Sequence, residues 1–282
     1  MIRTGRGFAR GSCGELVQGV TSGGEAFQVS LPIALGTTIV AGFEESDEFD
    51  VAAPPALTKL VDGVVATLRL LGAPPQRVRL RRASELPVGK GLASSTADVV
   101  AAARATAAAF GERLGDDELA SLAGSIEPSD GSMYPRTAVL RRRGRALRRW
   151  AWTPTFTALV LVPCSTVTTD DVAVDCLAGA GDCYDAVLED LERSASTHDR
   201  NGFLAAAAVS ARIHHDLVGN RWAGSLPGLA EATGALGWSI AHTGSVAGLL
   251  FEPTRAGRRA AHSGATRLGR HLAVRTIVTS AG

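Results

Sequence analysis

In the first 50 residues apolar and polar positions alternate in short runs broken by Gly and Ser. Glu15 to Gln18, Ala26 to Val29 and Thr37 to Phe43 read as antiparallel strands. After Pro54-Pro55 the spacing changes. Leu57, Leu60, Val61, Val64, Val65, Leu68 and Leu71 recur at steps of three and four, which predicts an amphipathic helix over residues 56–71. Val78-Arg79-Leu80-Arg81 alternates and predicts a strand. The alanine-rich run from Thr96 to Phe110 and the stretch from Asp116 to Ile126 predict two more helices. Thr137 to Trp152 reads as two strands about a turn at Gly144, and an apolar strand over Thr157 to Val162 follows. Helices are expected at Tyr184–Ser194 and Asn201–Val218, then strand (Gly248 to Phe251), helix (Thr254 to Leu268) and strand (Leu272 to Val278). No repeat of fixed period and no low-complexity linker interrupts this order.

Composition narrows the function classes. The chain has 282 residues, 45% of them apolar, with 29 basic against 28 acidic residues and a formal charge of +1. That is a globular composition, long enough for two modest domains or one large one. Near-neutral charge removes the electrostatic reason to expect nucleic acid or a membrane surface as partner. The one basic cluster, Arg141, Arg142, Arg143, Arg145, Arg148 and Arg149, reads as the solvated face of the hairpin, with anion binding as the alternative. Only Lys59 and Lys90 of the 29 basic residues are lysine, a bias that resembles GC-rich coding. Cys13, Cys164, Cys176 and Cys183 lie far apart with no zinc spacing, as expected of reduced thiols in a cytoplasmic protein. No stretch approaches the ~18 apolar residues of a membrane span, and the first residues carry no signal-peptide core.

The most informative segment runs from Glu85 to Thr96, between a strand and the alanine-rich helix. Glycines let backbone N–H groups approach an anion, hydroxyls offer donors or metal ligands, and the helix start presents free N–H groups and the positive end of its dipole. Local physics leaves two readings: an anion cradle, or an ordinary glycine turn capped by Ser95. The segment is not a Walker A loop, since Ser84 stands where that pattern needs glycine and Gly91 follows Lys90. Ser94 likewise breaks the Rossmann G-x-G-x-x-G pattern.

P-x-x-x-G-L-x-S-S followed by an alanine-rich helix, here Pro87 to Ser95, resembles the ATP-binding motif of the GHMP kinase superfamily. Gly11 to Gly19 resembles that superfamily's N-terminal motif, and His242 to Gly248 its C-terminal glycine motif. Within the superfamily, Ser12 to Leu16, Lys90 to Asp98, Ser125 to Asp130 and His242 to Val246 resemble the L-threonine kinase branch, which makes O-phospho-L-threonine for the aminopropanol arm of cobalamin. Ser12 stands where the sugar and mevalonate kinases carry a basic residue, and Gln18-Gly19 replaces their Glu-His, so those roles do not carry over.

The resemblance implies an α+β protein of two domains, residues 1–152 (ribosomal protein S5 domain 2-like, ATP-binding) and 153–282 (ferredoxin-like). It implies ATP cradled by Pro87, Gly89, Lys90, Gly91, Leu92, Ala93, Ser94, Ser95 and Thr96. Mg²⁺ would sit on Ser95 and Glu127, and Asp130 would orient or deprotonate the acceptor hydroxyl. Two residues, Pro128 and Ser129, separate Glu127 from Asp130, fewer than in many superfamily members. Cys13, Gly14, Glu15, Gln18, Thr243, Gly244 and Ser245 would line the acceptor site, with Glu15 and Gln18 as contacts for an amino-acid ammonium. Cys13 reads as packed rather than nucleophilic. Lys90 either reaches a phosphate or lies exposed. The expected partner is a small-molecule substrate, with no nucleic acid and no membrane, for a monomer or homodimer. Three rivals stand beside this: a GHMP kinase with another hydroxy amino acid as acceptor, a nucleotide-sensing relative without turnover, and an arginine-hairpin nucleic-acid binder, which the neutral net charge disfavours. The joint presence of Ser95, Glu127 and Asp130 argues against the sensor.

Overall fold

The computed structural model describes residues 2–54, 57–141, 143–164, 174–222, 224–272 and 274–282. Ala56, Arg142 and Ala273, which fall in expected elements, lie outside the described residues. The chain begins with two long antiparallel strands, β1 (Arg3–Val20) and β2 (Ala26–Glu45). β2 spans both runs expected between Ala26 and Phe43, and β1 starts twelve residues before the run expected at Glu15. In its first half small residues, not large apolar ones, alternate with the outward Thr4, Arg6, Phe8 and Arg10. Gly5, Gly7 and Ala9 face inward, and a Cβ on Gly7 would stand 2.5 Å from the backbone nitrogen of Ala105.

That glycine stripe exists because helix α2 (Ser94–Ala109) lies directly on it, with β1's backbone against α2's. Between β2 and α2 come β3 (Asp50–Ala52), α1 (Thr58–Leu70) and β4 (Gln76–Ser84). β4 pairs antiparallel with β2, and the short β3, which lacks an alternating pattern, pairs parallel with β4. Helix α1 packs its apolar face on α2, and α2 is buried on nearly every side because alanine keeps its girth small. Gly7→Val is expected to force β1 and α2 apart, an overpacking cost of about 1–3 kcal/mol or more. A thermal melt should then show Tm lowered by several degrees, at roughly 2–4 °C per kcal/mol for a chain near this size.

Helix α3 (Asp116–Ile126) has the expected bounds, and its C-terminal cap is Glu127. The hairpin about Gly144 forms as β5 (Ala138–Arg141) and β6 (Ala146–Arg149), with β5 paired to β2. Among its described arginines, Arg141 pairs with Glu25, Arg148 with Glu192 and Arg149 with Asp117, while Arg143 donates to the Gly124 carbonyl and Arg145 to Ser121 Oγ.

The rest of the chain supplies β7 (Phe156–Val162), a 3₁₀ turn ending at Ala180, α4 (Gly181–Thr197), α5 (Arg200–Val218), α6 (Leu226–Thr233), β8 (Gly237–Ile240), β9 (Ala247–Phe251), α7 (Arg255–His271) and β10 (Arg275–Ala281). Helix α6 and β8 carried no sequence expectation, being short and Gly-flanked. The last strand starts three residues later than expected because Leu272 caps α7 instead of opening β10. The four strands run in the order β8-β9-β7-β10, all antiparallel. They join the long hairpin at both ends: Ile240 of β8 pairs with Glu15 of β1, and Ala281 of β10 pairs with Ile33 of β2. The protein is therefore a mixed helix and strand fold on one continuous sheet. Among the described residues no helix is long and apolar enough to cross a membrane.

Candidate functional site

β1 loses register with β2 between Arg10 and Ser12, between Ser12 and Glu15, and between Glu15 and Val17. Bulges of this kind re-aim side chains. Gly14, at φ +63, supplies the left-handed residue, and a Cβ there would strike the backbone of Ile240 and Ala241. The irregular stretch thus turns Glu15 toward the start of α2.

The loop ahead of α2 holds three residues in the left-handed region, Gly89 (φ 68), Gly91 (φ 88) and Ala93 (φ 56). Two are glycines, for which that region is nearly free; the alanine is strained. Ala93 is the helix cap and offers no side-chain hydrogen bond, so Ser95 is not the cap. Its Oγ instead donates to Glu127 Oε2 at 3.0 Å. The capped-turn reading is thereby replaced: backbone geometry alone starts the helix and leaves the Ser95 hydroxyl facing a carboxylate.

Three sequence motifs meet here through the backbone. The Ser12 N–H donates to the Leu92 carbonyl (3.1 Å), and the Ser245 and Val246 N–H groups both donate to the Lys90 carbonyl (3.0 and 3.1 Å). Gly91 and Gly244 touch so closely that a Cβ on either would lie 2.8 Å or less from the other's Cα. The result is a cavity of about 240 Å³ lined by Glu15, Lys59, Val88, Gly89, Gly91, Ala93, Ser94, Ser95, Thr96, Glu127, Pro128, Asp130 and Thr243.

The acidic groups in it are held by specific partners. Glu127 is buried, and its two oxygens accept from Lys59 Nζ (2.5 Å), Ser95 Oγ and Thr96 Oγ1 (3.4 Å). Asp130 Oδ1 accepts from Ser30 Oγ at 2.9 Å, and its N–H donates to Thr96 Oγ1. Glu15 Oε2 accepts from the His242 N–H at 2.7 Å, with His242 Nδ1 at 3.3 Å. Burial pushes the Glu15 and Asp130 carboxyls up to about 7, and for Asp130 the negative charge of Glu15 adds to it. Burial drives His242 and His214, whose rings meet edge to face, down to about 3, so both rings are neutral.

Of the residues singled out in the sequence, the structure gathers Glu15, Gly89, Gly91, Ala93, Ser94, Ser95, Thr96, Glu127, Asp130 and Thr243 around this cavity. Gly14, Gly244 and Ser245 support it from behind. Pro87 does not line the cavity, and four others lie elsewhere. Cys13 is fully buried under β8 and β9, its Sγ 3.6 Å from Ser239 Oγ, and burial lifts its thiol to about 12; it packs the core instead of lining an acceptor pocket. Gln18 is buried and does not line the cavity; its backbone N–H donates to Ser210 Oγ at 3.4 Å. Lys90 Nζ donates to the Cys164 carbonyl at 2.6 Å, away from the cavity. Leu92 is a core residue. Lys59 was not anticipated. It stands in the first turn of α1, and its one signal in the sequence was its rarity, as one of two lysines.

A metal ion would find oxygen donors here. The Ser95 hydroxyl and the Glu127 carboxylate share one face, and Lys59 already places a cation on that carboxylate. One hydroxyl and one carboxylate suit Mg²⁺, which keeps several waters. Among the described residues no cluster of three or more His, Cys, Asp or Glu forms a denser metal site.

Residues 59–133 match the family model "GHMP kinases N terminal domain". Over 255 residues, 86% of the chain, it is 29% identical to L-threonine kinase of Salmonella typhimurium, of which 82% is covered. It is 29% identical over 252 residues to L-threonine kinase of Citrobacter freundii, covering 86% of this chain and 85% of that one. Homoserine kinase from Cytophaga hutchinsonii has the same fold, with a TM-score of 0.73 at 15% identity over 99% of this chain and 94% of that one.

Proposed function

With a GHMP kinase N-terminal domain over residues 59–133 as premise, we propose that this protein is an ATP-dependent phosphotransferase that phosphorylates the side-chain hydroxyl of L-threonine. The observation that carries the proposal is the convergence of Ser95, Glu127, Asp130 and Glu15 on one cavity at the start of α2. Residues 1–152 act as the ribosomal protein S5 domain 2-like, nucleotide-binding unit. Residues 153–282 act as the ferredoxin-like unit that supplies Thr243, Gly244 and Ser245.

The N–H groups at the start of α2 and in the Gly89–Ala93 loop hold the phosphates, where helix dipole and free donors favour anions. Ser95 and Glu127 would hold Mg²⁺, which when bound would neutralise charge on the β and γ phosphates. Glu15, fixed by the His242 N–H, faces the acceptor's ammonium group. Asp130, fixed by Ser30, takes the hydroxyl proton as the threonine oxygen bonds to the γ-phosphorus and the bond to the β–γ bridging oxygen breaks. ADP leaves with that oxygen's electron pair. Phosphoryl transfer of this kind depends mainly on positioning and charge neutralisation, which is what the cavity provides.

Asp130 raised to about 7 is protonated below that pH and ionised above it. As a proton acceptor it works only when ionised, so kcat/KM for the acceptor is expected to rise with pH through about 7. Glu15 and Glu127 raise this group, while Ser30 and Ser12 lower it. Glu15→Gln removes the larger like charge, and the limb is expected to move to lower pH. A pH profile of the two proteins checks this; an unmoved limb assigns it to another group.

The function itself is tested by ADP release with Mg-ATP across L-threonine, D-threonine, L-serine, L-homoserine, mevalonate and galactose. L-Threonine is expected to give the highest kcat/KM.

A further inference from the structure

Lys59 is the cavity's one lining lysine, and the mechanism above gives it no part. It stands in the first turn of α1, half exposed, with Nζ 2.5 Å from Glu127 Oε2, the same oxygen that accepts from Ser95. The carboxylate is the fixed member of this pair: Glu127 is 7% exposed and Lys59 48%. A second cavity of about 220 Å³, lined by Leu57, Thr58, Leu60, Val88 and Asp98 among others, adjoins the first, and Lys59, Val88, Ser94 and Ser95 line both. A nucleotide that put its phosphates at α2 and its remainder in the second cavity would pass Lys59. Among the residues lining the first cavity, three carboxylates, Glu15, Glu127 and Asp130, face this one cation.

We infer that Lys59 is an exchange cation: it neutralises Glu127 in the nucleotide-free protein and, when the metal–nucleotide enters, releases that carboxylate and moves its ammonium onto a phosphate oxygen. The inference rests on the phosphotransferase reading. Side-chain chemistry supports it. An ammonium is a compact point charge on a flexible stem and can change partners, whereas a guanidinium fork would hold Glu127 through two hydrogen bonds. In a chain whose other basic residues are arginine save Lys90, lysine is what stands at this position.

The two-lysine composition makes the test direct. Reductive ¹³C-methylation labels Lys59, Lys90 and the N-terminal amine, and Lys59→Arg identifies the first resonance. Titration with Mg²⁺ and the non-hydrolysable analogue AMP-PCP is expected to shift the Lys59 signal to saturation. Lys59→Met is expected to bind Mg-AMP-PCP roughly 10–100-fold more weakly, the range of one charge-assisted hydrogen bond. The same variant, free of nucleotide, is expected to bind Mn²⁺ about 10-fold more tightly by electron paramagnetic resonance, because its competitor for Glu127 is gone. A wild type that binds AMP-PCP beside a variant with both constants unchanged, or a Lys59 signal that stays put, overturns the inference and leaves the phosphotransferase reading standing. A wild type that binds no AMP-PCP overturns both.

Discussion

Asp130→Asn is expected to lower kcat by roughly 10²–10⁴, the usual consequence of losing a general base. The substitution is close to a pure charge test. Asparagine keeps the oxygen that accepts from Ser30 Oγ at 2.9 Å, and the backbone hydrogen bond to Thr96 is untouched. What disappears is the capacity to take a proton at the end of a buried pocket where burial and Glu15 already raise the carboxyl to about 7. Mg-ATP affinity is expected to stay near the wild-type value, since Ser95 and Glu127, not Asp130, are the proposed metal holders. Single-turnover and steady-state kinetics together separate the two effects. A variant with wild-type kcat removes Asp130 from proton transfer and leaves Glu15 as the group to examine.

Gly91→Ala is expected to raise the KM for ATP by at least ~10-fold, with a matching loss in kcat/KM. At φ +88 an L side chain is strained by about 1–2 kcal/mol. The added Cβ would also meet Ala241 Cβ at 2.7 Å and Gly244 Cα at 2.8 Å, both fixed to backbone. The loop can relieve that contact only by moving off the Ser245 and Val246 N–H groups, which now hold the Lys90 carbonyl. Gly244→Ala meets the same contact from the other side, its Cβ 2.5 Å from Gly91 Cα. The two substitutions are expected to be non-additive when combined, because each breaks the same interface. Nucleotide titration of the singles and the double checks this; strict additivity means that the two glycines act independently.

The long elements were legible in the sequence because their hydrophobic period is unambiguous. α1, α2, α3, α5 and the Gly144 hairpin all stand within a few residues of where the spacing puts them. The first half of β1 was not, because its inward face is glycine instead of leucine or valine. Only the close approach of α2 explains that choice. The cavity's core was legible through motif order, but which side chains face it depends on bulges and crossings that no local pattern carries. Cys13 and Glu15 are two residues apart on β1, yet the irregularity around Gly14 leaves one in the core under β9 and the other in the cavity. Lys59 sat on the polar face of an amphipathic helix, where a solvated lysine is the ordinary expectation; only the packing of α1 on α2 brings it to Glu127, 68 residues away.

The central claim is that the cavity between Glu15, Asp130 and the start of α2 moves phosphate onto the threonine hydroxyl. It is tested most directly by incubating the protein with L-threonine and Mg-ATP and identifying the product by mass and ³¹P resonance. The account predicts O-phospho-L-threonine, formed in step with ADP and abolished in Asp130→Asn. ATP bound in the cavity with no phosphothreonine formed, or ADP released without it, contradicts the account.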